Sequence, residues 1–242
     1  MKKSLITTVV MFLVFCGTAR AGVLDSLRNN VRIAKNDTEK YNANLSLGAY
    51  YYDRDCDISH KYFWKALLYA KRLHDKSKIS VTYINIATLY SIGYQFKPAV
   101  DTLILAIRLA KEINHLEETA FGYSQLGTIY SRIGDYEKSL DAFNSAVAIM
   151  NRSAVEDSLR KYRAQGKITL RQDSYLTSVS VIYNDLAMTH LQIKDTAEAI
   201  SVLKFSLKVA EASLQEERAA VGYANIGEIY SGMGKFRLPR NI

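Results

Sequence analysis

One apolar face recurs four times along the chain, at offsets of 40, 60 and 40 residues. Tyr83, Ile86, Ala87 and Tyr90 return forty residues later as Tyr123, Leu126, Gly127 and Tyr130. The set appears again as Tyr183, Leu186, Ala187 and His190, and once more as Tyr223, Ile226, Gly227 and Tyr230. Positions i, i+3, i+4 and i+7 lie on one side of an α-helix, and the small third member lets a neighbouring helix approach closely. After a short turn, three of these segments are followed by a second face: Phe96, Ala99, Leu103 and Ala106, then Tyr136, Ser139, Phe143 and Ala146, then Thr196, Ala199, Leu203 and Ser206. Each copy therefore reads as a pair of helices, A and B. A single pair cannot bury its own apolar faces, so the copies must stack. With 12 glycines and 2 prolines in 242 residues, few breakers interrupt this pattern, and the expected fold class is all-α.

The clearest copy runs Tyr123-Ser-Gln-Leu-Gly-Thr-Ile-Tyr130, then Gly134-Asp-Tyr136 and Phe143. It resembles the tetratricopeptide repeat (TPR), whose signature is an aromatic, then Leu-Gly, then Tyr, then Ala and Phe. The closing proline of that family is missing from every copy, and the period is forty rather than the usual ~34 residues. The resemblance implies a right-handed α-α superhelix of antiparallel helix pairs. It spans copies at about 41–73, 80–113, 120–152 and 180–213, with an incomplete copy at 220–236. The first is degenerate: Leu47-Gly48-Ala49-Tyr50-Tyr51 is slipped by one residue, while Phe63, Ala66 and Ala70 keep register. Ahead of the array, a short amphipathic helix over 22–37 carries Leu24, Leu27, Val31 and Ala34 and caps the stack. Twenty surplus residues at about 153–175 separate the third and fourth copies, where a helical extension or an insertion is expected. A short tail, 237–242, follows.

Residues 1–21 read as a secretory signal. Met1-Lys2-Lys3 is followed by an apolar run from Leu5 to Cys16 and by Ala19-Arg20-Ala21, a small-x-small cleavage pattern. The run is shorter than the ~20 residues that span a bilayer, which disfavours a retained anchor. A lipid anchor on Cys16 fits less well, because Phe15 stands where the lipobox wants a small residue. The chain is thus expected to be exported, periplasmic or secreted, with no membrane span after cleavage. Losing Lys2, Lys3 and Arg20 takes the formal charge from +8 to +5. The remaining charge is dispersed rather than clustered, so no nucleic-acid partner is indicated. Cys56 is the only cysteine beyond the signal, which excludes an internal disulfide of the mature chain. Asn36, Asn44 and Asn151 lie in N-x-S/T sequons, expected to stay unmodified behind a bacterial-type export signal.

Chemistry is sparse. His60, His74, His115 and His190 are scattered and make no metal-ligand pair, and there is no phosphate loop or nucleophile motif. Neither an enzyme nor a cofactor is expected. What remains is the inner surface that helix A lines in this architecture. Two residues beyond each opening aromatic stand Asn85, Gln125, Asp185 and Asn225, joined on that face by Thr88, Thr128, Asn184 and Glu228. Side-chain amides donate and accept, so this row resembles the asparagine ladder with which some repeat proteins hold an extended peptide. The lysine–asparagine clamp that some members use for C-terminal carboxylates is not reproduced, since Ile84 and Thr88 occupy those places.

The last copy has its helix A and the turn Gly234-Lys235-Phe236, but Pro239 falls where helix B is due. Tyr230 and Phe236 are therefore expected to lack cover and to offer an end-to-end contact with a second copy of the chain. Two functions are compatible with these features. The first is an exported scaffold holding a peptide or protein partner. The alternative is the sensory region of a membrane-bound bacterial regulator, of the histidine-kinase or transcription-factor type, whose output domain is not part of this sequence.

Overall fold

The computed structural model describes residues 22–151, 155, 158–160, 170–212 and 216–232, and all regular structure among them is helical. The expected signal segment, Phe236 and the tail lie outside these residues. Helix α1 spans 22–33. It is followed by α2 (Asp37–Tyr51), α3 (Cys56–Arg72), α4 (Lys76–Ile92), α5 (Phe96–Glu112), α6 (Leu116–Ile133) and α7 (Tyr136–Met150). The series ends with α8 (Leu170–Gln192), α9 (Thr196–Ala212) and α10 (Glu216–Gly232). The chain divides into two compact units, Met1–Tyr94 and Gln95–Ile242.

A shared turn sets the period. Five described interhelical turns place a left-handed residue, His74, Tyr94, Asn114, Gly134 or Lys194, directly before the residue that opens the next helix. The left-handed residue ends one helix, and the next amide closes over it: Asp135 N–H donates to Tyr130 O at 3.0 Å, and Asp195 N–H to His190 O at 2.9 Å. The same next residue then caps the new helix through its side chain. Asp75 accepts from Lys78 N, Asp135 from Lys138 N and Asp195 from Glu198 N. Opening residues 55, 75, 95, 115 and 135 therefore fall twenty apart, and two helices make the forty-residue period.

Size matching holds each pair together. In the first unit, α2 packs on α3, and a Cβ on Gly48 would lie 2.6 Å from the ring of Phe63. In the second, α6 packs on α7, and a Cβ on Gly127 would lie 2.8 Å from the ring of Phe143. Where helix A carries Ala187 instead, the corresponding residue of helix B is Leu203, and both are fully buried. The hydroxyls follow the glycines: Ser59 donates to Gly48 O at 2.8 Å and Ser139 to Gly127 O at 2.9 Å, whereas the copy with Ala187 has Ala199 at that position. The one-residue slip of the first copy is visible here, because Ser59 lies eleven positions past its glycine and Ser139 twelve.

Each unit has its own core. Phe63, Leu67, Ile86 and Leu89 join α3 to α4, and Tyr41, Ala66 and Ala70 join α2 to α3. In the second unit, one cluster runs from Ala120 through Phe143, Tyr183 and Leu203 to Val209. Val155 and Leu159, from the surplus stretch, are buried in that cluster. Helix α8 opens at Leu170 and is 23 residues long, against 17 for α4. Part of the surplus is therefore helical extension. Among the described residues, no helix is long and apolar enough to cross a membrane.

Candidate functional site

The tyrosines that begin the recurring face of helix A are structural. Lys111 Nζ lies 4.9 Å from the centre of the Tyr123 ring and donates to its hydroxyl at 2.6 Å, and Lys71 lies 5.7 Å over the Tyr83 ring. In the last copy the partner changes sign, and the Tyr223 hydroxyl donates to Glu211. These three tyrosines are thereby tied to the last turn of the preceding helix B, whereas Tyr183 is buried in the core against Phe205. That leaves the polar residues beside them as the candidates for binding.

In the first unit, Asn85 and Thr88 are half-buried on α4. Asn85 Nδ2 donates to Val81 O at 2.9 Å and Thr88 Oγ1 to Ile84 O at 2.8 Å, so both turn donors back onto their own helix. Ile84, where a carboxylate clamp would need a polar residue, is buried. In the second unit, Gln125 and Thr128 are half-buried on α6, and Thr128 donates to Ser124 O at 3.1 Å.

Four of the eight groove candidates meet between α8 and α10. Asn225 Nδ2 donates to Asn184 Oδ1 at 3.0 Å, and Asn184 Nδ2 donates in turn to Asp185 Oδ1 at 3.4 Å. Burial pushes the Asp185 carboxyl above the usual carboxylate range, while the Asn184 hydrogen bond and the charge of Arg218 pull it back. Beside this relay is a cleft of about 460 Å³, floored by Met188, Leu191 and Ile229. Gln192, Thr196, Asn225 and Glu228 supply its polar wall, and Glu228 is exposed. Sequence reasoning named Asn225 and Glu228 but missed Gln192 and the apolar floor. The floor was readable in principle, because Met188 stands where other copies have Thr88 and Thr128. Tyr230 is half-buried at the far end of α10. Among the described residues, no group of three or more His, Cys, Asp or Glu is placed to hold a metal ion.

Tandem helix pairs with this face pattern and shared turn define a tetratricopeptide-repeat protein. The family profile described as the SusR N-terminal TPR domain matches residues 18–237, and the chain belongs to that family. The solved structures similar in fold include apo RapI, with a TM-score of 0.66 and 14% identity over 90% of this chain and 74% of that one. MamA is similar with a TM-score of 0.50 and 16% identity over 83% of this chain and 94% of that one. A Rap protein complexed with Competence and Sporulation Factor has a TM-score of 0.50 and 16% identity, covering 93% and 74%. At these identities the likeness concerns the fold. No protein of curated function matches significantly.

Proposed function

We propose that this chain is an exported scaffold that holds an extended peptide or protein segment against the helix A side of its repeats. The TPR fold makes protein–protein interaction its general role. The observation that carries the peptide reading is the α8–α10 cleft, where an apolar floor adjoins the Asn225–Asn184–Asp185 relay. Apolar contact gives affinity and a few fixed polar groups give orientation, the usual composition of a ligand cleft. A neighbour in fold was solved in complex with Competence and Sporulation Factor, which supports occupancy of such an array by a partner. Export is supported by the Lys2-Lys3 start and the apolar run after it; the family match begins at residue 18.

The test is an array of synthetic 15-residue peptides probed with the purified chain. The paired change Asn184→Ala and Asn225→Ala is expected to remove binding while leaving the helical circular dichroism unchanged. Peptides that bind the variant as well as the parent would overturn the reading. A second reading rests on the family description, which names an N-terminal domain. In it, the array senses its ligand on behalf of an output domain encoded after codon 242. An unrelated gene directly downstream of that codon would remove this alternative.

A further inference from the structure

One wall of the α8–α10 cleft pairs two acceptors, the Asn225 carbonyl and the Glu228 carboxylate, and the cause begins at Asp185. An ionised carboxylate accepts hydrogen bonds and donates none. Asp185 therefore fixes the Asn184 amide with its Nδ2 toward the carboxylate. The planar amide then presents Oδ1 on its other side, where only a donor fits, and Asn225 supplies it through Nδ2. By the same planarity, Asn225 turns its own Oδ1 away from Asn184. Glu228 stands three residues further along α10, on the same helix face, and both residues line the cleft. A carbonyl oxygen and a carboxylate thus share one cleft, and no lysine or arginine is among the described residues that line it.

The repeat shows how local this is. At the position of Asp185, other copies carry Asn85, Gln125 and Asn225; at that of Glu228 they carry Thr88, Thr128 and Met188. Two acids at one seam are departures from the pattern in a chain of formal charge +8.

Resting on the peptide reading above, we propose that this cleft takes a cationic side chain of the bound peptide, a lysine or arginine. Its N–H groups meet Glu228 and Asn225 Oδ1, and its methylene stem lies on Met188, Leu191 and Ile229. Both side chains are pure donors, which suits the Asn225 and Glu228 acceptors, and both bury their stems on apolar surface while keeping the charged end wet. Asp185 is a positioning residue that acts through Asn184 and Asn225.

The experiment is the same array made with N-acetylated peptides of even composition, so that no terminal amine competes as a cation. With the parent chain, bound peptides are expected to carry lysine or arginine at one position about two- to fivefold above the library, the worth of one exposed ion pair. Glu228→Gln should bring that excess close to the library value, and Glu228→Lys should turn it toward aspartate and glutamate. Asp185→Asn can donate as well as accept, so it frees the relay to reverse and should weaken the preference with helicity unchanged. Bound peptides with no cationic excess, or an excess that survives Glu228→Lys, would overturn the proposal and leave the groove reading standing. An array with no bound peptide overturns both.

Discussion

Replacing Gly127 by alanine tests whether helix pairs are held by size matching. The added Cβ would lie 2.8, 2.9 and 2.9 Å from three atoms of the Phe143 ring. Ordinary carbon contacts are ~3.5–4.0 Å, so the ring would have to withdraw by roughly 0.8 Å. Phe143 is 1% exposed and packed within the main cluster of the second unit, which leaves little room for that movement. Overpacking of this kind costs ~1–3 kcal/mol, and the better helix propensity of alanine returns ~1 kcal/mol, so a net loss of about 1 kcal/mol is expected. Phe143→Leu alone removes ring contacts and leaves a small void, a loss of about 1–2 kcal/mol. The double variant recreates the Ala187 and Leu203 combination, so its two changes should compensate each other. Urea unfolding followed by circular dichroism reads this as midpoints at unchanged slope. A coupling of at least ~1 kcal/mol in favour of the double variant is expected. Additivity within ~0.5 kcal/mol would show that the recurring glycine–phenylalanine and alanine–leucine combinations are incidental.

Three further changes follow from the turns and the relay. Lys194 is an exposed residue at φ 65°, in the place where another turn uses Gly134, and Lys194→Gly should raise stability by about 0.5–1 kcal/mol, read as a higher melting temperature. Gln95 opens α5 with no side-chain hydrogen bond to the helix, whereas Asp75 and Asp135 make one; Gln95→Asp should add about 0.5–1 kcal/mol, and no gain would argue against the capping role of this position. Burial raises the Asp185 carboxyl above its unfolded value, so the folded chain binds more protons in the window above the ordinary carboxylate pKa, and stability falls as pH rises through it. Melting temperatures measured across that window should fall less steeply in Asp185→Asn, which should also be the more stable chain at neutral pH; an identical pH profile would refute the assignment.

The array is readable in the sequence because its packing rule needs few letters. An aromatic, an aliphatic and a small residue at helical spacing fix one face, and the partner position on helix B tracks the size of the small residue. The turn was harder to read. Tyr94, Lys194 and His74 adopt left-handed conformations that their residue types do not announce, and only Gly134 and Asn114 signal them. The groove was less readable still. Spacing places Asn85, Thr88 and Thr128 on a helix face but does not reveal that each spends a donor on its own backbone. Nor does it reveal that Asn184 and Asn225, 41 residues apart, hydrogen-bond to each other, because that contact depends on how neighbouring A helices stack. Phe236, the other half of the expected end contact with Tyr230, lies outside the described residues.

The one break in the period sits directly ahead of the helix that carries the relay. Helices open at 55, 75, 95, 115 and 135, and α9 opens after Asp195, three steps later. The interval from 135 to 195 is three steps of twenty where two would join one helix B to the next, so the twenty-residue spacing is kept while the alternation of A and B is broken. A repeat array tolerates this, because each unit contacts only its neighbours and an added element disturbs one seam. Val155 and Leu159 insert into the core at that seam, and α8 carries Leu176, Val179, Ile182 and Tyr183 into the same cluster. The opposite side of α8 is where Asn184 and Asp185 replace the Ile84 and Asn85 of an ordinary copy. A polar relay with an enclosed carboxylate needs a helix that does not shift, since a half-satisfied network is costly. The added core contacts supply that anchorage, so removing them by Val155→Ala with Leu159→Ala should loosen the relay before it unfolds the array. The expected result is a loss of peptide selectivity at a temperature where the helical signal is still complete. Selectivity and helicity lost together would mean that the surplus residues stabilise the array as a whole and do nothing specific for the site.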